Sequence, residues 1–134
     1  MRLRAEDAAD LLVLSSCLQD ALVLAADMSY EAADHRFVLM ANRYRWEAGE
    51  GARVQAALVV DRVAKVRLRG IDLARREQFL SLLALRYLQQ EQVIELAFSG
   101  GGAIRLEVSG ILCHLQDLGE PWPAAWQPHH DQEP

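Results

Sequence analysis

Two hydrophobic periods divide the chain. Over residues 7–19 apolar side chains recur at helical spacing, with Ala8, Leu11, Leu12, Leu14 and Leu18 forming one stripe. Asp7 is placed to cap this helix, and Asp10 adds a second carboxylate near the positive end of its dipole. From Leu22 the period falls to two. Leu22–Tyr30 and Arg36–Trp46 read as strands joined by the turn-like Glu31–Asp34. Arg53–Val60 and Ala64–Arg69 follow, set apart from the second strand by a loop over 47–52 and from each other by a turn near Asp61-Arg62.

Residues 72–90 fit two descriptions. Asp72 could cap a helix, and Leu, Ala, Arg, Gln and Glu dominate without a β-branched residue. Yet Phe79, Leu80, Leu82, Leu83, Leu85 and Leu88 would surround a helix on nearly all sides. A strand buried on both faces, preceded by one helical turn, fits the run equally well. The two are close, and the strand over 79–88 is preferred.

The next pair is clearer. Val93–Phe98 and Ala103–Val108 flank Ser99-Gly100-Gly101-Gly102. Ile94, Leu96 and Phe98 share a face with Ile104, Leu106 and Val108 only if the loop has odd length. A three-residue turn with a glycine at positive φ is therefore predicted. Ile111–Leu118 reads as a final helix with Ser109 as its cap, ended by Gly119 and by Pro121 and Pro123.

The order helix, about seven strands in meander, helix predicts an α+β domain with an antiparallel sheet. It would be a bent sheet or a two-sheet roll, with a strand count and final helix similar to a pleckstrin-homology-like barrel. The first helix departs from that pattern. Residues 1–126 are expected to form a single globular domain, and 127–134 a flexible C-terminal tail.

Composition narrows the class without supplying a function. The 134 residues are 51% apolar and 25% charged, which excludes disorder, collagen, coiled coil and a membrane-embedded chain. Met1-Arg2-Leu3-Arg4 looks like the start of a secretion signal, but Glu6, Asp7 and Asp10 stand where an apolar run is required. Cys17 and Cys113 lie far apart in apolar stretches and read as buried, reduced thiols of a cytoplasmic protein.

At this point a family can be compared. Ser15-Ser16-Cys17-Leu18-Gln19-Asp20-Ala21, Asn42-Arg43-Tyr44-Arg45-Trp46-Glu47, the Phe98–Val108 hairpin and Pro121-Trp122-Pro123 resemble a small bacterial family of uncharacterised proteins, domain-of-unknown-function family 2948. The resemblance spans nearly the whole chain. It implies a bacterial, single-domain, cytoplasmic protein, and it brings no activity or site residues with it.

Candidate chemistry is sparse. Gly100-Gly101-Gly102 leads into a strand, whereas phosphate cradles lead into a helix N-terminus, so a hairpin turn is the better reading. His35 falls in a turn, His114 on the predicted final helix, and His129-His130-Asp131 in a tail with no framework for a metal. Cys113 and His114 are neighbours that a helix would point apart, not a thiolate–imidazole pair. Glu95 opposes Arg105 in one allowed register as an exposed pair. No nucleophile elbow, P-loop or metal-protease helix occurs, and neither a cofactor nor a metal is expected. Trp122 and Trp126 either latch the C-terminus onto the domain or form a patch for a partner or a homodimer mate.

Charge distribution is the most informative feature. The net charge of −5 divides into −5 over residues 1–34, +6 over 35–76 and −6 over 77–134, and Lys65 is the only lysine beside thirteen arginines. Alternation places Val38, Met40, Tyr44 and Trp46 on one face beside Val54, Ala56, Leu58 and Val60. Arg43 and Arg45 then point the other way, and with Lys65, Arg67 and Arg69 would make a five-cation surface. Phe37, Leu39, Ala57 and Val59 share the parity of Arg43, so the acidic helix 7–19 is a plausible cover.

Three functions follow. The first is a non-catalytic binding module for an acidic protein or anionic ligand. The second is RNA binding by the same face. The third is a small enzyme whose groups converge only in the fold.

Overall fold

In the computed structural model, residues 1–44 and 52–123 are described, the side chains of 120–123 excepted. Strand β1 (Arg2–Ala5) precedes helix α1 (Ala8–Cys17). Eight strands follow: β2 (Ala21–Glu31), β3 (Arg36–Tyr44), β4 (Ala52–Val60), β5 (Val63–Arg69), β6 (Phe79–Leu88), β7 (Val93–Phe98), β8 (Ala103–Val108) and β9 (Cys113–Pro123). They form one antiparallel sheet in the order β1-β9-β4-β3-β2-β6-β7-β8-β5, with β1 and β5 as edges, so the sheet is not closed. The antiparallel α+β class is correct, but among the described residues nine strands and one α-helix replace about seven strands and two helices.

The predicted final helix over 111–118 is a strand. Cys113 and Leu115 face the core, while His114 faces out. The segment pairs with β4 along one side and with β1 along the other. Two strands that would otherwise expose backbone N–H and C=O groups obtain partners this way, which outweighs local helix propensity. The period of two was present in Ile111, Cys113 and Leu115.

Helix α1 forms as expected. The Asp7 carboxylate accepts the Asp10 N–H at 2.8 Å, and the Asp10 carboxylate accepts the Glu6 N–H at 3.0 Å. Leu11, Leu14 and Leu18 are buried, whereas Leu12 and Val13 are exposed. The helix packs on β6 and β1 rather than over β3 and β4. Strand β2 pairs with β6 only over 79–82, and α1 takes its place beyond. There the Ser15 hydroxyl accepts the Leu85 N–H at 2.9 Å. The expected cover of the basic centre is therefore not formed by this helix.

Residues 79–88 form the preferred strand, but not one buried on both faces. A register shift between Leu82 and Ala84 turns both Leu82 and Leu85 into the core and leaves Leu83 44% exposed. Phe79 is exposed as well. Two successive turns over 72–78 precede the strand, and the Asp72 carboxylate accepts the Ala74 N–H at 2.9 Å.

The β7–β8 hairpin has the predicted odd loop. Phe98 N–H donates to Gly102 O at 2.8 Å across Ser99–Gly101, and Gly100 and Gly101 adopt φ of 83° and 88°. Ile94, Leu96, Phe98, Ile104, Leu106 and Val108 are all buried on one face.

In β3 the inward parity is the reverse of the predicted one. Phe37, Leu39, Ala41 and Arg43 face the core, and Val38, Met40 and Tyr44 lie on the other side. The register pairs Leu39 with Leu58 and Ala41 with Ala56, so odd positions of β3 share a face with even positions of β4. Residues 37–40 are apolar on both faces, and Tyr44 with Trp46 biased the reading toward the even set. Trp46, like Arg45, Trp126 and the tail 127–134, lies outside the described residues.

Candidate functional site

The four predicted cations that are described do not share a surface. Arg43 is fully buried, with 0% of its surface exposed. Its Nε and Nη2 donate to the two Asp117 carboxylate oxygens at 2.8 Å each, and Nη1 donates to Tyr44 O at 2.9 Å. Arg45 lies outside the described residues. Lys65, Arg67 and Arg69 are exposed on β5, at the edge of the sheet and separated from β3 by β2, β6, β7 and β8. Arg53 is also buried, with its guanidinium 3.8 Å from the centroid of the Tyr44 ring. The positive block therefore divides into internal and external parts.

Charge on the outer face of β6–β7–β8–β5 is ordered in a ladder. Glu95 opposes Arg105 as one allowed register implied. The pair is not exposed, however, since Glu95 is 4% exposed and accepts from both Arg86 at 2.6 Å and Arg105 at 3.0 Å. Arg67 sits opposite Arg105, a like-charge contact relieved by the Arg67–Glu107 pair at 2.7 Å.

A different cation cluster lines a groove of about 660 Å³ on the outer face of β1, β9, β4 and β3. Register builds it. Arg4 lies beside His114 and His114 beside Val59, while Arg2 lies beside Gln116 in the neighbouring row. Arg36, from the start of β3, and Asp61, just after β4, close one end. Arg36 Nε donates to Asp61 Oδ1 at 2.8 Å, and this hydrogen bond and its charge raise the guanidinium pKa above its ordinary value. His114 Nδ1 lies 3.8 Å from Asp61 Oδ2, and Arg4 pairs with Glu6 at 2.7 Å. Among the described residues Arg2 has no ion-pair partner, and no cluster of three or more His, Cys, Asp or Glu residues is placed to hold a metal.

The groove is not among the sites expected from the sequence, where Arg2 and Arg4 look like the start of a secretion signal and His114 falls on the predicted final helix. Their spacing, Arg2-x-Arg4 and His114-x-Gln116, is the period-two signal that would have placed them on one strand face.

Cys113 points the other way from His114, into the core. Burial first, and the nearby Asp61 charge second, push its thiol pKa up from 9.0 to about 12. Both effects disfavour the thiolate, so it is a packing residue rather than a nucleophile. In the unfolded chain the thiol ionises at the ordinary value, while the folded chain keeps its proton. Stability should therefore fall between roughly pH 9 and pH 12, by up to about 1.4 kcal/mol per pH unit from this group. Cys113→Ala should flatten that decline relative to the parent in urea titrations at successive pH values. Identical slopes would contradict it.

Taken together, the fold and groove define an open antiparallel sheet domain whose polar surface is arranged by arginine–carboxylate pairing. The chain belongs to the family described as Protein of unknown function (DUF2948), whose model matches residues 1–130. No curated protein and no solved structure matches the chain. No helix among the described residues is long and apolar enough to cross a membrane.

Proposed function

We propose that this domain is a non-catalytic binding module that holds a compact anionic ligand in the groove of β1, β9, β4 and β3. The carrying observation is that Arg2, Arg4 and Arg36 surround a groove whose one lining carboxylate among the described residues, Asp61, is engaged by Arg36, while Arg4 pairs with Glu6 outside the lining and Arg2 has no ion-pair partner among those residues. Guanidinium groups suit this task because their planar donors match carboxylate and phosphate oxygens. Arg2 and Arg4 stand out from the strand with their charge in solvent, so an incoming anion meets them without a large desolvation cost. His114 adds a further donor. The reading includes a cytoplasmic location, supported by Cys17 and Cys113, which are not joined in a disulfide.

RNA is less well supported. Among the described residues no Phe, Tyr or Trp lines the groove, whereas surfaces that read single strands stack bases on such rings.

Calorimetric titration with pyrophosphate tests the proposal. Binding should weaken by at least about tenfold in Arg2→Glu/Arg4→Glu, the equivalent of about 1.4 kcal/mol, with unchanged thermal stability. Equal affinity in the variant would remove the groove as the site. Tighter binding of a single-stranded oligonucleotide than of pyrophosphate, with affinity falling steeply as salt rises, would favour RNA instead.

A further inference from the structure

The edge strand β5 offers a second surface, distinct from the groove. Among the described residues it pairs with β8 alone. Its first residue is tethered: Val63 N–H donates to His35 O at 2.8 Å, and Val63 O accepts from the Tyr30 hydroxyl at 2.9 Å. Beyond it, no described residue bonds to the backbone of 64–69 on the side away from β8. Every residue of that stretch except Val66 is exposed. Leu68 pairs with Ile104 of the core face yet remains 41% exposed, because nothing described flanks it on the open side. Lys65, Arg67 and Arg69 alternate with Val66 and Leu68, and of these cations only Arg67 has an ion-pair partner among the described residues.

We propose that residues 64–69 of β5 take up an extended acidic segment of another protein, which adds to the sheet as a further antiparallel strand. An open edge supplies backbone hydrogen bonds to any extended chain, and its side chains select which one. Here the selection follows from charge. A second copy of this chain, paired β5 to β5, would set Lys65, Arg67 and Arg69 against their own counterparts. Like charges directly opposite one another destabilise a strand pair. That arrangement blocks self-association, as charged edges do in natural sheets. A strand with acidic residues on the same face meets opposite charges instead, and apolar residues at its alternate positions cover Val66 and Leu68. The fitting partner thus alternates acidic and apolar residues.

A fluorescent peptide of repeated Glu-Val, titrated against the full chain by anisotropy, provides the test. It should bind, and the affinity should fall at least about tenfold in Lys65→Glu/Arg69→Glu, whose positions are exposed. The same peptide with alternate backbone amides N-methylated keeps its charge and loses its strand hydrogen bonds, so it should bind at least about tenfold more weakly. Amide exchange within 64–69 should slow when the unmodified peptide is present. Equal binding of the methylated peptide would overturn strand addition, as would an unchanged Lys65→Glu/Arg69→Glu variant. Loss of peptide binding only in Arg2→Glu/Arg4→Glu would assign it to the groove and overturn the proposal, while failure of pyrophosphate binding leaves this test unaffected.

Discussion

Asp117→Ala is expected to cost about 3–5 kcal/mol, a large share of the stability of a domain this size. Arg43 has none of its surface exposed, and its Nε and Nη2 both donate to Asp117, itself 12% exposed. Removing the carboxylate takes away two charge-assisted hydrogen bonds of 2.8 Å from a guanidinium that stays inside the protein. Breaking a buried ion pair by removing one partner costs far more than the pair itself contributes to stability. The double variant Arg43→Met/Asp117→Leu should therefore recover most of the loss, because it removes both charges and keeps volume. Urea denaturation of the three proteins checks this. A loss below about 1 kcal/mol in Asp117→Ala, the size expected of an exposed pair, would contradict this account. The same geometry changes how Arg43→Ala should be read: loss of binding in that variant would report unfolding, not a surface contact.

Leu39→Ala and Met40→Ala should differ sharply, although the two residues are adjacent and similar in size. Leu39 is fully buried against Leu58, and its truncation should cost about 2–5 kcal/mol. Met40 is half-buried on the opposite side of β3, and its truncation should cost about 1 kcal/mol or less. Thermal unfolding of both variants gives the answer. Reversal of the order would restore the parity first read from the sequence, with Met40 inside and Leu39 outside. The contrast matters because one residue of register moves every side chain of β3 between core and surface.

Much of the fold was legible because local signals agreed with one another. Asp7 and Asp10 cap α1, and β2, β3, β4 and β5 begin within one residue of where alternation placed them. The glycine loop obeyed a parity argument that needs only the side-chain period. Failures came where local signals were balanced. Residues 37–40 are apolar on both faces, so alternation alone could not choose one. Residues 111–118 had a cap, a stop and acceptable helix formers, and were decided by two strands in need of partners.

The candidate site was hardly legible at all. Its residues come from positions 2 and 4, 36, 61 and 114–116, and they meet only because β9 lies between β1 and β4. Conversely, sheet order separates Arg43 from Lys65, Arg67 and Arg69, because it sends β5 to the far edge although a tight turn joins it to β4. The charge blocks are reconciled in a similar way. Carboxylates of the acidic C-terminal block reach back, Asp117 to Arg43 and Glu107 to Arg67, while α1 turns to β6 and β1.

The sequence by itself determined the class of fold, the capped helix, the principal strands and the turn that joins β7 to β8. Each depends on interactions within a few residues or on a fixed side-chain period. Only the tertiary structure decided which strands became neighbours, which face of β3 is the core and which arginines meet solvent. Those outcomes depend on pairing between distant segments, where the need to satisfy backbone groups and bury apolar surface overrides local preference.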